Sequence, residues 1–369
     1  MSSVDIKRIL KLAILKLKKA KIASPELDAE ALLAFVIKKP KEYLYAHPEA
    51  ELTPNQQKLF QKLIARRGKH EPVAYLTGHK EFFGLDFIVN HNVLIPRPET
   101  ELLVEEAIKR IKNYELRIKN CRTVLIDIGT GSGCIPIAIV KNSGVRAIAI
   151  DMSSAALKIA RKNARQYGIL DSPAKIFARR KLRRGNDKEE GGNDKRMMRF
   201  IKGDLLKNTK YKIQNTKFLI ITANLPYLPT SEWHSTMPDV KKYEPRLALD
   251  GGPDGLKYYR KLMPQIAALA KKIPKTKIVC LFEFCPEEKT ALEKLVHRYF
   301  PNPSLEPFTG RFKPLCEGRR LKNPSANPLS LPLLKGEMTG AGRTNAVIEI
   351  KKDLAGRDRL MLVQISPSP

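Results

Sequence analysis

Between residues 124 and 282, short unbroken apolar runs alternate with amphipathic stretches. A strand with one face in water alternates apolar and polar residues, whereas a strand buried on both faces is apolar throughout. Buried strands separated by helices form a parallel sheet with helices on both faces, so this pattern predicts a doubly wound, mostly parallel α/β fold. The predicted strands span residues 124–128, 147–150, 199–201, 218–223 and 278–282, and helices are predicted to start near Cys134, Ser153, Asp254 and Pro286.

The first 78 residues have the apolar spacing of helices and contain no motif that suggests catalysis. Ser24 and Thr53 each precede a proline, and a Ser or Thr followed by proline at the first helical position is a typical helix start. We therefore predict a small N-terminal helical domain over residues 1–78.

Residues 79–98 show a different period. Apolar residues alternate at Phe83, Leu85, Phe87 and Val89, and the Asn-His-Asn segment 90–92 follows them. This pattern predicts a β-hairpin linker whose turn lies at residues 90–92. The main domain is then expected over residues 99–369, with its first helix starting near Glu99.

Two segments of the main domain do not fit the alternation of strands and helices. Residues 173–198 and 314–344 are rich in Lys, Gly, Asn and Pro, and they are too polar and irregular to build a core. We expect both to be disordered surface insertions. The alternative is a basic arm that binds nucleic acid.

The chain has 68 Lys and Arg against 38 Asp and Glu among its 369 residues, a formal charge of +30. This excess attracts phosphate-rich partners, but it is spread along the chain, so both a lysine-rich solvated surface and proximity to the ribosome or RNA stay open. No apolar run approaches the roughly 18 residues of a membrane span. The five cysteines are odd in number and lack Cys-x-x-Cys spacing, which favours a reducing cytoplasm and no zinc site.

A glycine-rich turn follows the first predicted strand. It reads Asp127-Ile128-Gly129-Thr130-Gly131-Ser132-Gly133 and leads into a helix. Alternating glycines allow a sharp turn and a close approach of the backbone to a ligand, and the helix start offers free N–H groups. The spacing differs from the dinucleotide motif Gly-x-Gly-x-x-Gly, and no Lys-Ser/Thr pair follows for a nucleoside triphosphate.

Acidic residues follow the next two predicted strands. Asp151 closes the second strand, where a carboxylate can accept hydrogen bonds from ribose hydroxyls, although it can also cap the helix near Ser153. Asp204 and Leu205 follow the third strand and offer an acceptor for a purine amine and an apolar wall. Together with the glycine turn, these residues predict an adenosine pocket.

The fourth predicted strand ends in Asn224-Leu225-Pro226-Tyr227. An amide nitrogen is a poor nucleophile, so an enzyme that uses one must fix the planar group in line with its electrophile. Asn224 Oδ1 and the carbonyl of Leu225 can accept the amide N–H bonds, and Tyr227 can stack on the amide plane. The other interpretation is an Asn-initiated turn, but the sheet edge shared with the glycine motif favours a site.

These motifs resemble the HemK/PrmC family, the protein-(glutamine-N5) methyltransferases of class 1 peptide-chain release factors. The resemblance covers most of the chain, and its usual Asn-Pro-Pro-Tyr reads Asn-Leu-Pro-Tyr here. The segments that carry it are 75–78, 81–84, Ile95-Pro96-Arg97-Pro98-Glu99-Thr100-Glu101, the glycine motif, 224–227, 244–252 and Lys352-Asp353-Leu354-Ala355-Gly356-Arg357-Asp358.

The resemblance implies a class I S-adenosylmethionine-dependent methyltransferase sheet, S-adenosylmethionine as the cofactor without a metal, and the glutamine of a release-factor Gly-Gly-Gln motif as the acceptor. It also implies that residues 1–78 help to hold the release factor, and we expect a monomer. The implied cofactor-binding residues are Gly129, Thr130, Gly131, Ser132, Gly133, Asp151, Asp204, Leu205 and Asn224. The implied substrate-binding residues are Asn224, Leu225, Pro226 and Tyr227, of which Asn224 and Tyr227 are expected to be catalytic, while Arg97 and Thr100 border the cofactor entrance or have structural roles.

Two other functions fit parts of the sequence. Adenine-N6 methyltransferases of nucleic acid also use an Asn-x-Pro-Tyr motif, and the charge of +30 suits that substrate. No separate recognition domain or focused basic face supports it. The third hypothesis is an RNA- or ribosome-binding protein without turnover, which the intact glycine and Asn-x-Pro-Tyr motifs disfavour.

Overall fold

The computed structural model describes residues 4–118, 122–170, 197–207, 213, 215–301 and 346–366. The predicted insertions at 173–198 and 314–344 lie outside these residues, except for Met197 and Met198. Met198 begins a strand, so the first insertion ends earlier than the sequence predicts. In the described part of the chain, no helix is both long and apolar enough to cross a membrane.

The N-terminal part is helical and has its own apolar core. Ile6, Leu17, Leu32 and Phe60, from three helices, are almost completely buried in it. A short two-stranded pairing joins β1 (Val4–Asp5) to β2 (Glu51–Leu52). The helices are α1 (Ile6–Lys19), α2 (Pro25–Ile37), α3 (Lys41–Ala46), α4 (Pro54–Arg67) and α5 (Val73–Thr77).

The two predicted proline-led helix starts are both present, but only one is capped by a side chain. Thr53 and Gln56 form a reciprocal capping box at the start of α4. Ser24 precedes α2 without capping its backbone, because its hydroxyl instead donates to Asp28 Oδ1 at 3.0 Å. The sequence thus predicts the position of the second helix correctly and the role of Ser24 wrongly.

The β-hairpin lies earlier than predicted. Strand β3 (His79–Phe82) pairs antiparallel with β4 (Leu85–Ile88), and the two-residue turn consists of Phe83 and Gly84. Both turn residues have positive φ, +54° and +68°, as a type I′ turn requires. Residues 90–92 form a local turn without a returning strand. The prediction erred because Phe is an unusual residue at a left-handed position, so this turn carries no typical sequence signal.

A seven-stranded sheet forms the main domain, with strand order β10-β11-β9-β8-β5-β6-β7. The five strands from β9 to β7 in this order are parallel to one another, as predicted. Strand β11 pairs antiparallel with both β9 and β10. The sequence analysis missed the hairpin of β10 and β11. The strands are β5 (Thr123–Ile128), β6 (Arg146–Asp151), β7 (Met198–Lys202), β8 (Phe218–Ala223), β9 (Lys277–Glu283), β10 (Ala346–Lys352) and β11 (Asp358–Ile365).

Helices cover both faces of the sheet. On one face, α6 and α7 pack with the β3–β4 hairpin through Leu103, Ile137 and Phe87. On the other face, α11 and α12 pack through Leu262 and Leu292. The bounds are α6 (Glu101–Arg117), α7 (Cys134–Ser143), α8 (Ser154–Gln166), α9 (Thr230–Ser235), α10 (Pro238–Tyr243), α11 (Lys257–Lys272) and α12 (Lys289–Tyr299). Because helices bury both faces of the sheet, β5 and β8 are apolar throughout, apart from Asp127 and their threonines.

The strand register determines where the predicted motifs meet. Ile128 at the end of β5 pairs with Ala223 of β8 and with Ile150 of β6. Gly129 and Asn224, which follow β5 and β8, and Asp151, the last residue of β6, therefore lie at the same level on three adjacent strands. The chain proceeds from β5 towards β7 on one side and from β8 towards β9 on the other, so this edge lies at the switch in strand order where α/β sheets bind ligands.

Candidate active site

A cavity opens at the carboxyl edge of β5, β6 and β8. It is formed by the strand ends and by segments from three other parts of the chain. The lining residues are Asn92, Val93, Leu94, Ile128, Gly129, Gly131, Ile150, Asp151, Met152, Ser153, Ala156, Gly203, Asp204, Leu205, Asn224, Leu225, Pro226, Pro245, Leu247, Ala248 and Tyr258.

The glycine turn lines this cavity with main-chain atoms only, at Gly129 and Gly131. The N–H groups of Gly129 and Thr130 both donate to the carbonyl of Ile150 at 2.9 Å, which ties the turn to β6. Gly129 has a φ of +74°, and a Cβ there would lie 3.1 Å from Leu225 Cδ2. Leu225, which replaces the usual proline of the resembled motif, therefore packs into the space that Gly129 leaves free.

The remaining members of the predicted motif lie behind the turn. Thr130 and Ser132 are 3% and 2% exposed and do not line the cavity. Gly133 has a φ of +81°, and a Cβ there would lie 3.1 Å from the side chains of Ala160 and Ile137. The third glycine thus lets α7 and α8 approach closely.

Asp151 holds the turn and lines the cavity. Its Oδ2 accepts the Gly131 N–H at 2.9 Å, and its Oδ1 accepts the Ser153 N–H at 2.8 Å. Burial raises the pKa of Asp151, although these backbone N–H groups favour its charged form. Asp151 therefore contacts the start of α8 and also lines the cavity, and its part in binding a ribose stays a prediction.

Asp204 and Leu205 line the far side of the cavity, after β7. The Gly203 N–H donates to the Asp151 carbonyl at 3.1 Å, and the Leu206 N–H donates to Gln265 Oε1 at 2.7 Å. Leu205 has a φ of +54°, a conformation that non-glycine residues adopt at some cost. These bonds hold the apolar side chain of Leu205 in the core below the cavity.

Asn224 lines the cavity opposite the β6 and β7 residues, with Leu225 and Pro226 beside it. Its Nδ2 donates to Thr100 Oγ1 at 3.0 Å, which leaves Oδ1 as the amide atom that can accept a bond from a ligand. Tyr227 does not line the cavity. Its hydroxyl donates to Glu283 Oε1 at 3.2 Å, and burial raises its pKa, so it is a neutral phenol.

Arg97 and Thr100, for which the sequence left either a place at the cofactor entrance or a structural role open, do not line the cavity. Arg97 pairs with Glu244, which also accepts the Ile95 N–H at 3.2 Å, and Thr100 lies buried behind Asn224. Sequence reasoning missed the walls built by 92–94, 245–248 and Tyr258. The segment 244–252 was noted only as part of the resemblance, and 92–94 was interpreted as part of a hairpin.

A buried carboxyl group lies close to the Asn224–Tyr227 loop. Glu288 Oε2 accepts the Cys285 N–H, while Oε1 has no hydrogen-bond partner among the described residues. A Cβ on Gly255 would lie 1.6 Å from Oε1 and 2.2 Å from the Tyr227 carbonyl oxygen, so these two oxygens are near neighbours. Two acceptors cannot bond to each other unless one carries a proton. Burial raises the pKa of Glu288 to about 8, so the protonated carboxyl can donate to this loop.

Three buried carboxyl groups predict an unusual dependence of stability on pH. Burial raises the pKa of Asp127 to about 6, of Glu283 to about 7 and of Glu288 to about 8. Between pH 4.5 and 8 the native state binds more protons than the unfolded chain, so the free energy of unfolding should fall as pH rises. Urea unfolding at pH 5.5, 7 and 8.5 measures this.

The variant Glu288→Gln is the matched control for that trend. Its amide can donate to the Tyr227 carbonyl at any pH, so we expect a smaller loss of stability at pH 8.5 than in the parent chain. Equal pH slopes for the two proteins would contradict the proposed protonation of Glu288.

The strand order, the glycine turn after β5 and the acidic residue after β6 define a class I S-adenosylmethionine-dependent methyltransferase. The chain is 36% identical over 269 residues to the release factor glutamine methyltransferase of Moorella thermoacetica, a match of 73% of this chain and 82% of the relative. It is 35% identical over 264 residues to that of Koribacter versatilis, with 71% and 81% covered. The chain therefore belongs to the release factor glutamine methyltransferase family.

Two family models match separate parts of the chain. The model described as the PrmC N-terminal domain matches residues 8–78, and the model described as ribosomal protein L11 methyltransferase (PrmA) matches residues 107–189. The first match ends at Gly78, directly after α5.

Proposed function

We propose that this protein transfers a methyl group to the side-chain amide nitrogen of the glutamine in the Gly-Gly-Gln motif of class 1 peptide-chain release factors. The observation that carries this is the cavity in which Asn224 faces the glycine turn, with its Nδ2 bonded to Thr100 and its Oδ1 left as an acceptor. The names of the relatives support the release factor as the substrate.

The residues on the β5, β6 and β7 side suit S-adenosylmethionine, which supplies an electrophilic methyl group on a sulfonium. Gly129 and Gly131 form a cradle at positive φ that side chains at these positions would strain or fill. Asp151 would accept from the ribose hydroxyls, and Asp204 and Leu205 would contact the adenine. Thr130, Ser132 and Gly133 hold the turn in place from behind.

The β8 side suits a glutamine amide. Asn224 Oδ1 and the Leu225 carbonyl would accept the two amide N–H bonds, and these bonds strengthen as positive charge develops on the nitrogen. Pro226 forms the adjacent wall. We propose that Tyr227 supports this loop, because its hydroxyl is bonded to Glu283 and its ring does not line the cavity.

The remaining properties follow from this function. The leaving group of the transfer is a neutral thioether, so we propose that no metal takes part. We propose that residues 1–78 contact the release factor, that residues 79–98 link them to the methyltransferase domain at 99–369, and that the protein acts as a cytoplasmic monomer. The charge of +30 supports action near the ribosome.

Mass spectrometry of a release factor incubated with the protein and S-adenosylmethionine tests the proposal. We expect one added methyl group on the peptide that contains the Gly-Gly-Gln motif, located on its glutamine. A release factor with alanine at that glutamine is the control and should gain nothing. An unmodified peptide, or a methyl group elsewhere, would contradict the proposed function.

A further inference from the structure

Thr100 is a polar residue buried behind the reactive side of the cavity. It is 2% exposed and lies in the single 3₁₀ turn Pro98–Thr100 that precedes α6. Its Oγ1 accepts the Nδ2–H of Asn224, which is 124 positions away in the chain. The turn therefore brings one hydroxyl to the back of the amide that faces the cavity.

The other end of the Asn224–Tyr227 loop is bonded to Glu283. This residue is the last of β9, the strand next to β8, and it is 2% exposed. The Tyr227 hydroxyl donates to Glu283 Oε1 at 3.2 Å. Two buried polar residues, Thr100 and Glu283, thus contact the two ends of this loop.

The bond to Thr100 sets the orientation of the Asn224 amide. Thr100 Oγ1 accepts from Nδ2, so the NH₂ group faces Thr100 and Oδ1 is left for the cavity that Asn224 lines. Because Thr100 is buried, loss of its hydroxyl would leave this N–H without its acceptor, which is costly.

We propose that Thr100, through its hydrogen bond to Nδ2, is a positioning residue that fixes the Asn224 amide with Oδ1 towards the acceptor glutamine. This inference rests on the proposed function. The sequence left two roles open for Thr100, at the cofactor entrance or in the structure, and this inference develops the second. Thr100 touches neither reactant and acts only through Asn224.

The variants Thr100→Val and Thr100→Ser separate the hydroxyl from the volume of the side chain. Valine keeps the shape but loses the hydrogen bonds, so we expect kcat for a release factor to fall at least about tenfold, with little change in KM for S-adenosylmethionine. Serine keeps the hydroxyl and should retain kcat within about threefold of the parent. Thermal unfolding of each variant identifies any loss caused by misfolding.

A measurement without turnover gives a second readout. With ¹⁵N-labelled asparagine, the Nδ2 protons of Asn224, assigned by their absence in Asn224→Ala, should exchange with solvent faster in Thr100→Val than in the parent or in Thr100→Ser.

The possible outcomes distinguish this inference from the function on which it rests. If the parent protein does not methylate a release factor, the proposed function fails, whereas the exchange experiment still tests the contact. If the parent is active and Thr100→Val keeps its kcat, or Thr100→Ser is as impaired as Thr100→Val, the positioning role is wrong. An effect on KM for S-adenosylmethionine alone would also overturn it.

Discussion

Replacement of Asn224 by alanine is expected to lower methyl transfer to a release factor by at least about a hundredfold, because the variant loses the acceptor that orients the glutamine amide. Cofactor affinity should stay nearly unchanged, since the Gly129 turn and Asp151 are bonded to one another and to β6 without using the Asn224 side chain. Single-turnover kinetics and titration calorimetry with S-adenosylmethionine measure the two effects.

The control is Asn142→Ala at the exposed end of α7. Its Nδ2 donates to the Ala138 carbonyl at 2.9 Å, and the exposed side chain does not line the cavity. We expect normal transfer from it. If Asn224→Ala methylated as fast as this control, the amide would have no role in the reaction.

Gly255→Ala is expected to cause the largest loss of stability. Gly255 has a φ of +74°, and a Cβ there would lie 1.6 Å from Glu288 Oε1 and 2.2 Å from the Tyr227 carbonyl oxygen. Backbone must therefore move, which we expect to lower the free energy of unfolding by about 3 kcal/mol or more and to displace the Asn224–Tyr227 loop. Urea unfolding and the methylation rate measure both consequences.

Gly356→Ala is a closely matched control. Its φ is +76°, but nothing lies within 4 Å of the added Cβ. This variant should lose only the conformational cost of a left-handed alanine, about 1 kcal/mol, and keep its activity. Equal losses for the two variants would show that strain at positive φ, and not the contact below Tyr227, explains the effect.

The sequence predicts the central strands well because burial on both faces leaves an unbroken apolar run. The strand at 218–223 matches β8 residue for residue, and the other four predicted strands lie within the observed ones. Strand β10 was missed because only part of it is buried, so it lacks that run, and β11 begins with the charged residues Asp358 and Arg359. Strands β10 and β11 also pair antiparallel with each other, so they do not follow the strand–helix alternation on which the prediction was based.

The part of the site that follows the strands could be predicted, whereas its walls could not. Gly129, Asp151, Asp204 and Asn224 come after apolar runs, so topology alone brings them to one edge. The contact of Asn224 with Thr100 and the wall at 245–248 join segments far apart in sequence. They depend on packing between helices and loops, for which one sequence carries no periodic signal.

The pairing of Ile128 with Ala223 has a consequence for redesign of this protein. The two half-sites leave adjacent parallel strands, and backbone hydrogen bonds fix such strands roughly 4.8 Å apart. The spacing between Gly129 and Asn224, which follow these two strands, is then set largely by the main chain. Substitutions at Leu247 or Ala248 would therefore reshape the wall of the cavity, while the distance between β5 and β8 stays the same.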